Sequence, residues 1–232
     1  MLPLKDDQPR FSTPFINYFL IGLNLLIFLF ESSLDPASLK IFFNQFAIVP
    51  SHLAAFLAGS PQYSLVAVVL PFFTSMFLHG SWMHVIGNMW FLYIFGDNVE
   101  DYLGHFNYLT FYLISGLIAM ACQVAMDIHS RVPNLGASGA IAGVLGAYFI
   151  LYPRARVLTW FFVFVLYVPA WIILGYWFLL QFVSGAATSL IYEGRNMGGG
   201  IAFWAHVGGF ISGVVLIKMF PQRARRYPYA MQ

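Results

Sequence analysis

Three groups of residues in this sequence have types and spacing suited to chemistry. Gly136-Ala137-Ser138-Gly139 places a serine between glycines. The glycines leave its hydroxyl accessible, and the free N–H groups of a helix starting here form a positive pole suited to an oxyanion. Trp204-Ala205-His206-Val207-Gly208-Gly209, with Gly213 four residues further on, puts His206, Gly209 and Gly213 on one helical stripe. An imidazole within reach of Ser138 could accept the proton an alcohol must lose before attacking a carbonyl. His84-x-x-x-Asn88 is an i,i+4 pair on one helix face. Its two donors could hold the negative charge of a tetrahedral intermediate.

Each group also has a plainer reading. Gly139 and Gly143 form a Gly-x-x-x-Gly pair, so the serine segment can equally be a packing face. A single histidine in an apolar helix can simply be hydrogen-bonded within a bundle. His84 and Asn88 could bind metal or bridge helices, but asparagine is a poor transition-metal ligand and no cysteine or carboxylate cluster accompanies them. His79, five residues before His84, reads as a loop-organising hydrogen-bond partner.

The elements that must position these groups are membrane helices. Of the 232 residues, 60% are hydrophobic and 9% charged, too little charge to cover a soluble domain of this size. Several apolar runs reach about 20 residues, the length that crosses a bilayer core. The net charge of +2 gives no reason to expect nucleic acid. Cys122 is the single cysteine, which excludes an internal disulfide. The first apolar run has no small-residue cleavage site and reads as a retained anchor.

The fold class expected is an all-α membrane protein of six spans: 14–30, 83–99, 106–126, 137–152, a long 157–183 kinked at Pro169, and 201–220. Residues 1–13 form a short tail, 14–220 a single six-span domain, and 221–232 a basic tail. With both termini cytoplasmic, that side holds Lys5, Arg10, Arg154, Arg156, Lys218, Arg223, Arg225 and Arg226, against Lys40, Arg131 and Arg195 outside. The apolar run 63–78 competes as a seventh span. Gly59-Ser60-Pro61 and Pro71 break it, favouring a partly embedded loop. In the six-span arrangement the second, fourth and sixth spans all start outside. His84, Asn88, Ser138 and His206 then share one level below the outer surface, which unrelated packing polars have no reason to do. The same placement puts Glu100 and Asp101 at the inner end, as structural contacts.

In their order and on their spans, His84-x-x-x-Asn88, Gly136-Ala137-Ser138-Gly139 and Ala205-His206-x-Gly208-Gly209-x-x-x-Gly213 resemble the three signatures of the rhomboid proteases; His79, Glu100 and Gly104 add to the likeness. The resemblance covers 14–220. It implies an intramembrane serine endopeptidase with a Ser138–His206 dyad and no third carboxylate. The oxyanion hole would be the Ser138 backbone N–H, His84 and Asn88, and Gly136, Gly139, Gly143, Gly209 and Gly213 would pack the helices at the site. It implies no metal and no cofactor. The 31–82 connection would be a membrane-embedded outer loop, and the fifth span with the 184–200 loop would gate substrate entry from lipid. Single-span membrane proteins, cut near the membrane surface, would be the substrates, with the lipid bilayer as the other partner. Two positions depart from the pattern. Ala142 stands where well-known relatives carry an aromatic under the histidine ring, leaving Phe203, Trp204 or Phe210 to orient His206. Leu70-Pro71 replaces a Trp-Arg pair of the outer loop.

Two other functions compete. A non-catalytic relative binding client transmembrane helices would keep the fold but usually loses the serine or histidine. A small transporter predicts ionisable groups at the midplane and an internal repeat, and neither is evident. A short chain without a transit peptide suggests a prokaryotic plasma membrane.

Overall fold

The structure, a computed structural model, describes residues 1–191 and 202–223. The 184–200 loop beyond Ile191, Arg195, and the tail with Arg225 and Arg226 lie outside the described residues. In chain order the elements are β1 (Leu2–Asp6), α1 (Phe15–Ser33), α2 (Pro36–Phe46), α3 (Pro50–Leu57), α4 (Leu65–Thr74), α5 (Trp82–Leu103), α6 (His105–Met126), α7 (Ser138–Leu151), β2 (Arg156–Phe161), β3 (Phe164–Pro169), α8 (Ala170–Ile191) and α9 (Phe203–Leu216).

Helix starts follow local chemistry. Ser81 caps α5 by accepting from the His84 backbone N–H at 3.2 Å, and Asp35 and Ser64 cap α2 and α4 in the same way. Helix α1 has no cap of its own. Its first N–H groups, on Ile16 and Asn17, instead donate to the Glu100 carboxylate of α5 at 3.0 and 2.7 Å. This gives the buried Glu100 a structural task at the end of α5 remote from His84. Gly104, at φ +78°, ends α5 and turns the chain straight into α6, a conformation other residues resist.

The chain is mostly helical, and its helices are those of a membrane protein. Among the described residues, α1, α6 and α8 are each long and apolar enough to cross a bilayer. The segment Leu65–Phe77 and α5 pass the same test as a pair, bent by 74° at the break between them. Helices α7 and α9 are apolar but only 14 residues each, about 21 Å of rise against the roughly 30 Å of a hydrocarbon core. The connection between α1 and α5 is not one loop but three short helices and a 3₁₀ turn, Ser75–Phe77.

Residues 157–169, read as the first half of a long helix, are instead strands. β2 and β3 form an antiparallel hairpin from the pair Arg156 and Pro169 to Phe161 and Phe164, and β1 adds to the free edge of β2. The expected span beginning at 157 is corrected accordingly: its helix begins only at Ala170, after the hairpin, in a chain that is otherwise mostly helical. Hydropathy cannot distinguish a short apolar strand from a helix. This run is rich in β-branched and aromatic residues, and Pro169 sits where a helix interior would lose a hydrogen bond. The expected kink at Pro169 is therefore the junction where strand ends and α8 begins. The hairpin keeps its apolar character on both faces, with Phe162 80% and Val163 84% exposed at the tip.

The core lies around α7, buried from Gly139 to Tyr148 against α5, α6 and α9. Glycine sets the closest approach, between α7 and α9. A Cβ on Gly209 would run into the Gly139 carbonyl, and one on Gly213 into the Gly143 carbonyl. Main chains therefore touch directly across this seam.

Candidate functional site

Ser138 is the first residue of α7, and no side chain caps that end. Its neighbour Gly136 holds φ at +125°, a value L side chains rarely adopt, and donates its N–H to the Ser75 carbonyl at 2.8 Å. A Cβ at Gly136 would sit 2.7 Å from the His84 ring. The glycine thus lets the imidazole of His84 lie against the backbone immediately before Ser138.

His206 reaches Ser138 because α9 enters beside α7 through the glycine seam. Its Nε2 is 2.8 Å from Ser138 Oγ, and the ring is largely buried. The backbone N–H before it, on Ala205, donates to Gln123 of α6 at 3.1 Å, which fixes the first turn of α9. Gly139 and Gly143 on α7 meet Gly209 and Gly213 on α9, while Gly136 lies against the His84 ring.

Asn88 stands one turn below His84 on α5, and its amide donates to His79 Nε2 at 2.9 Å. His79 is almost wholly buried, and its backbone N–H donates to the Glu31 carboxylate at 3.1 Å. The rings of His79 and His84 meet edge to face with centroids 5.0 Å apart. A chain of contacts thus runs from the end of α1 through His79 to Asn88.

Ser138, His206, His84 and Asn88 share one open cleft of about 890 Å³, also lined by Gly80, Val132, Asn134 and Leu135. A recess of about 220 Å³ leads from the same four residues toward Phe91, Leu145 and Trp177. The cleft offers a hydroxyl, a base and two side-chain donors around one space, with apolar walls. Among the described residues no three His, Cys, Asp or Glu side chains converge as metal ligands.

The support for His206 is not where the sequence placed it. Phe203, Trp204 and Phe210 do not stack on the ring: Trp204 bonds Ser189, and Phe210 packs against Phe149 and Phe178. Trp177 of α8 packs beside the imidazole at 5.6 Å, and Gln181, one turn later, sets its Oε1 2.7 Å from His206 Nδ1. Ala142 faces Gly209 of α9, where an added Cβ would come within 3.1 Å of the Ala142 methyl. The missed signal was an amide side chain four residues after a tryptophan in an apolar helix, where a polar group needs a reason.

The Rhomboid domain family matches residues 67–223, well over half of the chain. The chain belongs to the rhomboid family. It is similar to Rhomboid protein 1, mitochondrial, of Saccharomyces cerevisiae, 32% identical over 145 residues that are 61% of this chain and 39% of that protein. It is also similar to Rhomboid-like protein 11, chloroplastic, of Arabidopsis thaliana, 31% identical over 150 residues, 63% of this chain and 50% of that protein. Presenilin-associated rhomboid-like protein, mitochondrial, of Homo sapiens is 29% identical over 152 residues, 62% and 36% of the two chains. The match thus spans half or less of each of these relatives. All the site residues named above, from His79 to His206, fall inside the rhomboid match.

Proposed function

We propose that this rhomboid-family protein is an intramembrane serine endopeptidase acting on transmembrane protein substrates. The observation that carries the reading is the 2.8 Å contact between Ser138 Oγ and His206 Nε2 inside a cleft shared with His84 and Asn88. Ser138 attacks the scissile carbonyl while His206 takes the hydroxyl proton and passes it to the leaving amine. A water then repeats the sequence on the acyl-enzyme. The oxyanion that forms in each half-reaction is met by the Ser138 backbone N–H at the uncapped start of α7, His84 and Asn88. No cofactor takes part. The Glu31–His79 contact holds Asn88 in place without touching the reacting atoms.

The topology in this proposal has six spans, counting the short α7 and α9 as crossings and treating the bent segment before α5 as re-entrant. Both termini lie on the side where lysine and arginine concentrate, and the dyad opens toward the other. The mitochondrial and chloroplast names of the relatives give the expected prokaryotic plasma membrane no support, so the proposal stops at an integral membrane protein.

Covalent labelling by a fluorophosphonate tests the reading, with cleavage of a tagged transmembrane substrate in proteoliposomes alongside. Labelling is expected in the parent protein and lost in Ser138→Ala and His206→Ala, with helical content unchanged. Labelling that survives in Ser138→Ala overturns the assignment. Asn88→Ala should retain partial turnover, since one oxyanion donor is worth about 3–4 kcal/mol at most. A protein that binds client helices in the same cleft without catalysis is the competing reading, and it predicts no labelling at all.

A further inference from the structure

A serine–histidine pair works only if the imidazole presents an unprotonated nitrogen to the hydroxyl. In neutral histidine one ring nitrogen carries the proton, and a neighbour must decide which. Here both nitrogens are engaged: Nε2 faces Ser138 Oγ at 2.8 Å and Nδ1 faces Gln181 Oε1 at 2.7 Å. An amide oxygen only accepts, so Nδ1 is the donor and Nε2 keeps its lone pair for the serine proton. Trp177, four residues earlier on α8, packs beside the ring, its plane tilted by 37° with the centroids 5.6 Å apart. Two side chains one helical turn apart on α8 therefore fix the tautomer and the plane of a histidine on α9.

We propose that Gln181 is a positioning residue for His206, the neutral third member of a Ser138–His206–Gln181 array. The inference rests on the proposed protease reading. When the imidazole gains its second proton during the reaction, the Gln181 oxygen keeps its bond to Nδ1–H, and that bond becomes charge-assisted. A carboxylate there would bind the imidazolium more strongly but would have to be desolvated beside an apolar helix. The amide supplies direction without a buried charge. Because the bond crosses from α8 to α9, the dyad also senses where α8 sits. Any movement of α8 away from α9 removes the group that holds the base in register, and α8 is the fifth span, which the family likeness assigns to substrate entry.

The test uses the full-length protein in detergent or proteoliposomes with Gln181→Leu, Gln181→Met and Gln181→Glu. Turnover and the fluorophosphonate labelling rate should fall by at least roughly tenfold in Gln181→Leu and Gln181→Met, with the roughly 10⁴-fold loss of a histidine left in the wrong tautomer as the upper bound. The loss should appear in kcat with KM little changed. Gln181→Glu, which keeps an acceptor, should recover most of the rate. The ¹⁵N spectrum of His206 supplies a readout that does not need activity: one Nδ1–H tautomer in the parent and in Gln181→Glu, and a tautomer mixture in Gln181→Leu. A single unchanged tautomer in Gln181→Leu, or a parent-like rate in that variant, overturns the proposal. If the parent protein does not label at all, the protease reading fails, and the ¹⁵N spectra still decide whether Gln181 sets the tautomer.

Discussion

His206 is held from two sides by different means. On the α7 side the contact is main chain against main chain: Gly209 on Gly139 and Gly213 on Gly143. The distance between Ser138 and His206 there is set by backbones with no side chain to adjust it. On the α8 side the contact is made by long side chains, Trp177 and Gln181. These can reorient, and α8 continues from a hairpin whose apolar side chains stand exposed on both faces. The difference separates two tasks. A glycine seam fixes a distance, because any added carbon drives the helices apart. A side-chain clamp fixes an angle and a tautomer, and it can be released without unfolding the helix pair.

Breaking the rigid side should have the largest effect. Gly209→Leu or Gly213→Leu must push α9 off α7. Overpacking of this kind costs about 1–3 kcal/mol and occasionally more, and contact with a backbone carbonyl places these at the upper end. Thermal unfolding in detergent should show a clear drop in midpoint together with loss of fluorophosphonate labelling. A parent-like midpoint would mean that the seam is not rigid. Trp177→Ala comes next and tests the adaptable side. The glycine seam is untouched, so the helix pair should stay folded with a smaller drop in midpoint than the glycine variants show, while turnover falls by about tenfold to a hundredfold as the imidazole loses its placement. Equal losses of stability and turnover would erase the distinction between the two sides.

A smaller effect is expected at the far end of the cleft. His79→Leu leaves the Asn88 amide without its partner and the Glu31 contact intact, since Glu31 takes the backbone N–H of residue 79. Cleavage should slow only a few-fold, about 1 kcal/mol of barrier or less, because one of several oxyanion donors is loosened and not removed. The smallest effect tests the hairpin that feeds α8. Burial beside Tyr148 pushes the Asp6 carboxyl of β1 up to about 6. A carboxyl raised in the folded state binds its proton more tightly there than in the unfolded chain. Its stabilising contribution is therefore complete below about pH 4 and is lost as pH rises through about 6. Asp6→Asn keeps an acceptor for Tyr148 and cannot ionise. Its unfolding midpoint should match the parent near pH 4 and exceed it slightly at pH 7, and a constant difference across that range would remove Asp6 as the cause.

Much of the site was legible because its signals are local in sequence. Glycine at fixed intervals beside Ser138 and His206 announces close helix approach, and an i,i+4 pair such as His84 and Asn88 must share a face. The hairpin was not legible for the opposite reason. In a lipid-facing chain both strand and helix are apolar throughout, so the alternation that marks a strand in water disappears. Pairing of Leu2–Asp6 with Arg156–Phe161 joins segments more than 150 residues apart, and nothing local encodes it. Gln181 was passed over because a single glutamine in an apolar run has meaning only through what it faces.

By itself the sequence determined that this is a membrane protein and singled out the serine, histidines, asparagine and glycines that the fold gathers at one cleft and one helix seam, because span length, polarity and helical period are properties of the chain. Tertiary structure alone decided what orients His206. The ring takes its partners from α8, a helix whose placement beside α9 depends on packing among all the others, and no spacing within the chain records that one glutamine oxygen ends 2.7 Å from one imidazole nitrogen.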